Sequence, residues 1–218
     1  MTKLVIGIAG RSGVGKNTFA DMLTERLTEE GFKVTQFAFA DPVKSIYSVM
    51  FPGDPYTSDR YLKEKQIIPN SGNRTMRRLL QIIGTEFGRR LIHPRIWVNH
   101  LRDRVWQLST KQREVAVIVD LRFTDELETT AGDMRGIVYD LHRFEPKPIG
   151  FFSRLLRRIT FSGPHASENV KYREHTHRLG VTAVYNENSL QDLRRKADML
   201  VRNEVLPKFN ALLAKEQQ

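Results

Sequence analysis

Apolar positions along the chain follow two rhythms. "KLVIGIAG" (3–10) is a short, unbroken apolar run rich in β-branched residues that ends in glycine, the pattern of a strand buried on both faces. From Lys16 to about Glu30 the rhythm changes, and Phe19, Leu23 and Leu27 recur at four-residue spacing, which predicts a helix with one apolar stripe. "GFKVTQFAF" (31–39) reads as a second strand, with Gly31 closing the helix before it. "VAVIVDL" (115–121) is the clearest buried strand, and "GIVYDL" (136–141) and "VTAVYN" (181–186) supply two more. Ser189 then stands as a cap before a helix that carries Leu190, Leu193, Ala197 and Leu200 on one face. Strands alternating with helices predict an α/β fold, a parallel five-stranded sheet covered by helices.

Two segments break the alternation. Residues 42–112 are too long for one crossover; they begin with an irregular stretch rich in proline and glycine and continue as a strongly basic helical stretch, "RTMRRLLQIIGTEFGRRLIHPRIWVNHLRDRVWQL". Residues 143–178 are also basic and carry prolines, glycines and histidines. Long excursions on a rigid scaffold are usually functional, so the chain is read as one domain, 1–218, with an insertion at about 42–112 and a lid at about 143–178. The sequence contains no internal repeat and no low-complexity tract.

The first chemistry appears where the first strand meets the first helix. "GRSGVGKNT" (10–18) fits G-x-x-x-x-G-K, with a buried strand before it and an amphipathic helix after it. Glycines let successive backbone N–H groups turn toward one anion, and the helix start adds its positive end. Gly10, Ser12, Gly13, Val14, Gly15, Lys16, Asn17 and Thr18 are therefore candidate ATP-binding residues, with Lys16 reaching the terminal phosphates. Asn17 stands where the common motif has a hydroxyl residue. Thr18, one position on, is the candidate to supply an oxygen near the β-phosphate and the metal.

A second group follows in "VIVDLRFTDE" (117–126). Asp120 lies at the carboxyl end of a buried strand, where open α/β sheets bind ligands, and Arg122 and Glu126 come just after it. Asp120 can hold a metal-bound water or accept a substrate hydrogen bond, and Arg122 can bridge two phosphates. Further back, "FADPVK" (39–44) places Asp41 and Lys44 after the second strand, near the loop if the strand order is Rossmann-like. In the insertion, Arg77, Arg78, Gln81 and Arg89 alternate with Leu79, Leu80, Ile82 and Ile83, so one face packs and the other presents guanidiniums. Trp97, between Ile96 and Val98, suits either stacking on a base or a place in the core.

Composition narrows the class. At 40% hydrophobic and 28% charged residues the chain is an ordinary globular protein rather than a disordered one. No apolar run reaches the ~18 residues of a membrane span, and the N-terminal stretch runs into the glycine loop without a cleavage signal. With no cysteine there are no disulfides or thiolate sites, which suits a cytoplasmic location. The net charge of +10 fits nucleic acid, a solvated basic surface, or small anionic substrates enclosed by arginines.

Taken in order, the glycine loop with "GKNT", "FADPVK", "RRLLQIIGTEFGRR" followed by Trp97, "VIVDLRFTDE", "HASE" and "VYNENSLQDL" resemble the deoxynucleoside monophosphate kinase family known mainly from tailed bacteriophages, over about residues 4–195. The resemblance implies a P-loop NTPase-type fold, and transfer of the γ-phosphoryl of ATP to the 5′-phosphate of a deoxynucleoside monophosphate, with Mg²⁺ as cofactor. It makes Lys44, Arg78, Gly84, Thr85, Trp97, Asp120, Arg122 and Glu126 acceptor-site candidates, with the 10–18 loop holding ATP. The positions of the residues themselves make Thr18 and Asp120 metal candidates, and Lys16, Arg122 and Arg143, just past a strand end, the groups read as acting on the transferring phosphoryl. The family often has aspartate where Asn17 stands, and 143–165 is longer than a minimal lid. No nucleic-acid or membrane partner is expected; the insertion helices leave room for a homodimer.

The lid segment also holds Arg154, Arg157, Arg158, Lys171, Arg173 and Arg178, and its "FFSRLLRRITF" has a second reading as a basic amphipathic helix for a membrane surface or a partner. Three histidines, His165, His175 and His177, match no metal-ligand spacing. Two rivals stand beside the kinase reading. One is a P-loop kinase for another small molecule, against which the "GTExxR" helix argues; the other is a nucleic-acid-binding ATPase, suggested by charge alone.

Overall fold

The computed structural model describes residues 4–108, 113–143, 179–187 and 189–216. The chain divides into two compact units, Met1–Gln36 with Leu108–Gln218, and Phe37–Gln107.

The first unit is built on five strands, β1 (Leu4–Gly10), β2 (Lys33–Phe37), β3 (Glu114–Leu121), β4 (Ile137–Arg143) and β5 (Thr182–Asn186), in the order β2-β3-β1-β4-β5. β1 pairs in parallel with β3 and β4, and β4 with β5, as the alternation of strands and helices predicts. All five predicted strands form, with ends shifted by one or two residues. The condition attached to the placing of Asp41 and Lys44 is not met. A Rossmann-like order would set β2 beside β1; here β3 lies between them, so β1 is flanked by β3 and β4 and its carboxyl end faces the crevice where the order reverses.

The register on β1 is regular at Leu4↔Val115 through Gly7↔Ile118 and then shifts to Ala9↔Leu121. β3 takes one extra residue there, over Val119 and Asp120, and such an irregularity re-aims a side chain at a strand end. Helix α1 (Lys16–Glu29) buries Phe19, Leu23 and Leu27, the stripe read from the sequence. It packs with Ile6, Ile8, Tyr139, Leu141 and Val184 of the sheet in one core, where Phe19 meets the Tyr139 ring edge-on at 6.0 Å. Gly31, at φ 81°, ends the α1 turn as expected.

After β3, α6 (Thr124–Glu128) widens into a π-helical turn, Thr129–Asp133. Ser189 caps α7 (Leu190–Leu200), its Oγ accepting from the Asp192 N–H at 3.3 Å. Leu193 and Ala197 of α7 join the α1 core; the helical run then continues as a π-helical turn (Val201–Val205) and α8 (Leu206–Glu216). Pro207 lacks the N–H that an unbroken ladder would use, a local reason for the widened turn before it.

The second unit holds α2 (Asp41–Met50), α3 (Arg60–Lys65), α4 (Met76–Gln81), which continues as an eleven-residue π-helix (Ile82–Ile92), and α5 (Ile96–Trp106). Its core is Val43, Tyr47, Ile68, Met76, Leu79, Ile83 and Trp97. The stretch read as irregular, 51–73, contains the short α3, whose N-cap Asp59 accepts from Leu62 N–H at 2.8 Å. No helix among the described residues is long and apolar enough to cross a membrane.

Candidate phosphate-binding site

The loop between β1 and α1 has the backbone a phosphate cradle needs. Gly10, Gly13 and Gly15 all lie at positive φ (132°, 81° and 99°), where residues with a Cβ are strained. At Gly10 a Cβ would also sit 2.5 Å from the Leu141 carbonyl oxygen of β4. Gly15 is the N-cap of α1 and supplies no side-chain cap, and the first turn holds no acidic residue. The helix start is thus left to be capped by an external anion. Ser12, Gly13, Asn17 and Thr18 are exposed around it, while Val14 is buried beneath.

Lys16 is folded back onto this loop. It is buried, and its Nζ donates to the carbonyl oxygens of Gly10 and Arg11, both at 2.8 Å. Burial lowers its pKa to about 8, and the Arg122 guanidinium pushes in the same direction; Asp120 and Asp140 oppose them. One arginine and two carboxylates, from the turn after β3 and from β3 and β4, therefore act on Lys16 of α1.

Asp120 is half-buried at the re-aimed end of β3, and Arg122 is exposed just beyond it. Glu126 has a positioning job: it is buried, and its Oε2 accepts the backbone N–H of Arg122 at 2.7 Å and of Phe123 at 3.1 Å, closing the start of α6 around the arginine. Its spacing of four from Arg122 fits this cap, in which the Glu126 carboxylate accepts both amides.

Three neighbours escaped the sequence reading. Asp140 is buried in β4 opposite Ala9, and His142 Nε2 lies 3.1 Å from its Oδ2, with the imidazole stacked on Tyr185 at 5.4 Å. Asn186, at the end of β5, donates from Nδ2 to the Val14 carbonyl inside the glycine loop at 2.9 Å. The signal for Asp140 was present: a carboxylate inside an apolar strand is costly and asks for a partner. Asn186 carried no such signal, because its partner lies 172 residues away. Arg143, the last residue of β4, pairs in register with Asn186 and is exposed. The rest of the 143–178 lid, including the "HASE" run and the three histidines, lies outside the described residues.

The remaining candidates belong to the second unit. Lys44, placed after the second strand by the sequence, is in the first turn of α2, its Nζ 2.9 Å from Asp41 Oδ1 and 5.4 Å from the centre of the Tyr56 ring. Arg78 projects from α4 and pairs with Glu86 at 2.7 Å. Gly84 and Thr85 lie in the π-helix. Trp97, for which base stacking and core packing were both open, is a core residue: it is buried, its Nε1 donates to the Gly84 carbonyl at 2.7 Å, and its ring occupies the space that a side chain at Gly88 would need. Lys44, Arg78 and Thr85 thus rise from elements sharing one core.

No three-residue cluster of metal-ligating side chains occurs among the described residues. Asp120 and Asp140, which both act on Lys16, are hard oxygen donors of the kind Mg²⁺ takes, one or two carboxylates with water and phosphate completing its shell.

No protein-family model matches the chain. A curated relative, the deoxynucleoside-5′-monophosphate kinase of Escherichia phage T5, is 30% identical over 135 residues, covering 56% of this chain and 48% of the relative. The chain thus spans about half the length of the curated relative it matches. The resemblance read from the motifs and this relative name the same family. Among solved structures, a dephospho-CoA kinase from Campylobacter jejuni shares 18% identity at a TM-score of 0.47, over 92% of this chain and 96% of that one. A gluconokinase from Sinorhizobium meliloti shares 17% at 0.39, over 95% and 97%.

Proposed function

We propose that the chain is a kinase that transfers the γ-phosphoryl of ATP to the 5′-phosphate of a deoxynucleoside monophosphate, giving the diphosphate and ADP. The observation that carries the reading is the pairing of Lys16 with Arg122 at a glycine loop whose helix start has no side-chain cap. A buried lysine whose proton affinity is lowered by burial and then by a neighbouring arginine makes sense if polyphosphate is the missing counter-charge. The named relative supports the acceptor class.

In the reaction, the bond from the γ-phosphorus to the β,γ-bridging oxygen breaks as an acceptor phosphate oxygen bonds to that phosphorus. The acceptor oxygen is already anionic, so no general base is needed, and catalysis is positioning plus charge neutralisation. Backbone N–H groups of 10–18 hold the donor phosphates. Lys16 leaves the Gly10 and Arg11 carbonyls to meet the terminal phosphates, and Arg122, fixed by Glu126, spans donor and acceptor. Arg143 is assigned to the transferring phosphoryl and Lys44, Arg78 and Thr85 to the acceptor; Trp97 and Gly84 support that unit from within. Thr18 and Asp120 are the residues that would hold Mg²⁺, which would neutralise phosphate charge when bound.

The test is ADP release from ATP-Mg²⁺ with each of the four deoxynucleoside monophosphates and their ribose counterparts. ADP formation that depends on a deoxy acceptor and is lost in Lys16→Ala supports the reading. Release stimulated by single-stranded DNA and by no nucleotide overturns it.

A further inference from the structure

The Asn186–Val14 hydrogen bond joins the end of β5 to the middle of the glycine loop, and its geometry has a consequence for the loop's anion-facing amides. A trans peptide is planar, with C=O and N–H pointing in opposite directions, so fixing one fixes the other. The oxygen that Asn186 holds belongs to the peptide joining Val14 to Gly15, so the Gly15 N–H is turned away from β5. Both residues flanking Val14 are glycines at positive φ, so the backbone on either side of it has the widest choice of conformation. Asn186 restricts that choice from β5. Gly15 in turn makes room for it: a Cβ there would stand 3.0 Å from Asn186 Nδ2.

Asn186 is itself braced. Lys196 of α7 donates from Nζ to the Tyr185 carbonyl at 2.5 Å and is held by Asp192 at 2.6 Å and Glu187 at 3.1 Å. The peptide leading into Asn186 is therefore anchored to the helix that follows it.

We infer that Asn186 is a positioning residue for the donor phosphates: by holding the Val14 carbonyl it sets the Gly15 N–H toward the bound polyphosphate. The inference rests on the phosphate-loop reading and adds a residue that acts through the loop rather than on the substrate. Without the bond, the Val14–Gly15 peptide can rotate, and the amide must be reoriented each time an anion binds. The loss belongs to polyphosphate binding and not to the acceptor.

The full-length protein is titrated calorimetrically with tripolyphosphate and with ATP, comparing wild type, Asn186→Ala and Asn186→Asp, with acceptor KM measured alongside. Losing one oriented amide should weaken both polyphosphate ligands on the order of tenfold in N186A. N186D, isosteric but without the donor and with a carboxylate facing the Val14 oxygen, should weaken them further, while acceptor KM stays within about twofold. Unchanged polyphosphate affinity in N186D, which keeps the shape if N186A does not fold, would overturn the inference and leave the bond a structural tie that moves only the melting temperature. Wild type that binds tripolyphosphate but phosphorylates no nucleotide removes the acceptor reading alone. Wild type that binds no polyphosphate removes both.

Discussion

Replacing Lys16 by methionine should make the ligand-free protein more stable at neutral pH, although it removes the group expected to matter most for activity. Lys16 holds its ammonium in a buried position beside Arg122, and its pKa falls from 10.5 to about 8. That gap corresponds to about 3 kcal/mol of unfavourable free energy for the charged form in the folded protein. Methionine keeps an unbranched chain of similar length without the charge. It also takes the Nζ donor from the Gly10 and Arg11 carbonyls, each bond contributing about 1 kcal/mol. The net expected gain is about 1 kcal/mol at pH 7, and for a chain of this size about 2–4 °C in melting temperature.

The pH dependence gives the prediction its sign. Below pH 8 the lysine is protonated in both folded and unfolded chains, and wild type carries the full penalty. Between 8 and 10.5 the folded protein loses the proton while the unfolded chain keeps it, so wild-type stability rises with pH and the penalty shrinks. At pH 9.5 wild type should have recovered about 2 kcal/mol, enough to make it the more stable of the two. The assay is urea unfolding followed by far-UV circular dichroism at the two pH values; both tryptophans, Trp97 and Trp106, lie in the second unit, so their fluorescence reads the wrong part of the chain. A K16M protein less stable than wild type at pH 7, or a difference that does not move with pH, would refute the argument that burial and Arg122 strain this lysine. The same proton should govern ligand binding: ATP affinity falls as pH rises above about 8, because the neutral amine no longer attracts phosphate.

Three further outcomes follow from the geometry. Glu126→Ala strands the Arg122 and Phe123 amides and should cost about 2 kcal/mol in urea unfolding, with kcat falling because Arg122 loses its anchor; Glu126→Gln, which keeps one acceptor, should lose less of both. Gly88→Ala drives a methyl group into the buried Trp97 ring and should unfold the second unit first, read as an early red shift of tryptophan emission. Asp140→Asn removes a carboxylate that favours the charged form of Lys16, so the pH at which ATP affinity declines should move below that of wild type.

The parts of the fold that were legible in the sequence are those where one residue's surroundings are set by its near neighbours. The apolar runs of β1 and β3 gave their strands, four-residue spacing gave α1, and Ser189 gave the start of α7, because buried strands, amphipathic faces and caps are local patterns. Glycines with a lysine between a strand and a helix likewise marked the phosphate loop. Strand order was not legible. Nothing in "GFKVTQF" says whether it pairs with β1 or β3; that depends on how the crossovers pack. The residues missed share the same cause. Asp140 and Asn186 matter through partners on other strands, and the cap that Glu126 makes on the Arg122 and Phe123 amides is a contact the family resemblance did not disclose.

This division bears on how the site works. The residues visible from local pattern, Gly10 to Thr18, form a loop whose glycines allow many backbone arrangements, which is a liability as much as a use. The residues visible only in the fold remove that freedom. Asn186 holds the loop from β5, Leu141 closes on Gly10 from β4, and Glu126 fixes the backbone that carries Arg122. Permissive backbone held by long-range contacts is a consistent way to aim several amides at one point while Lys16 stays buried beside them. The depressed pKa of Lys16 is what that arrangement predicts for the ligand-free state: an ammonium buried by the fold, with Arg122 adding to the cost, a condition that an arriving polyphosphate relieves. Binding tripolyphosphate should therefore raise the Lys16 pKa back toward 10.5 and take up a fraction of a proton per site at pH 8, seen as a binding enthalpy that varies with the ionisation enthalpy of the buffer. Binding with no buffer dependence at that pH would mean that Lys16 does not meet the anion.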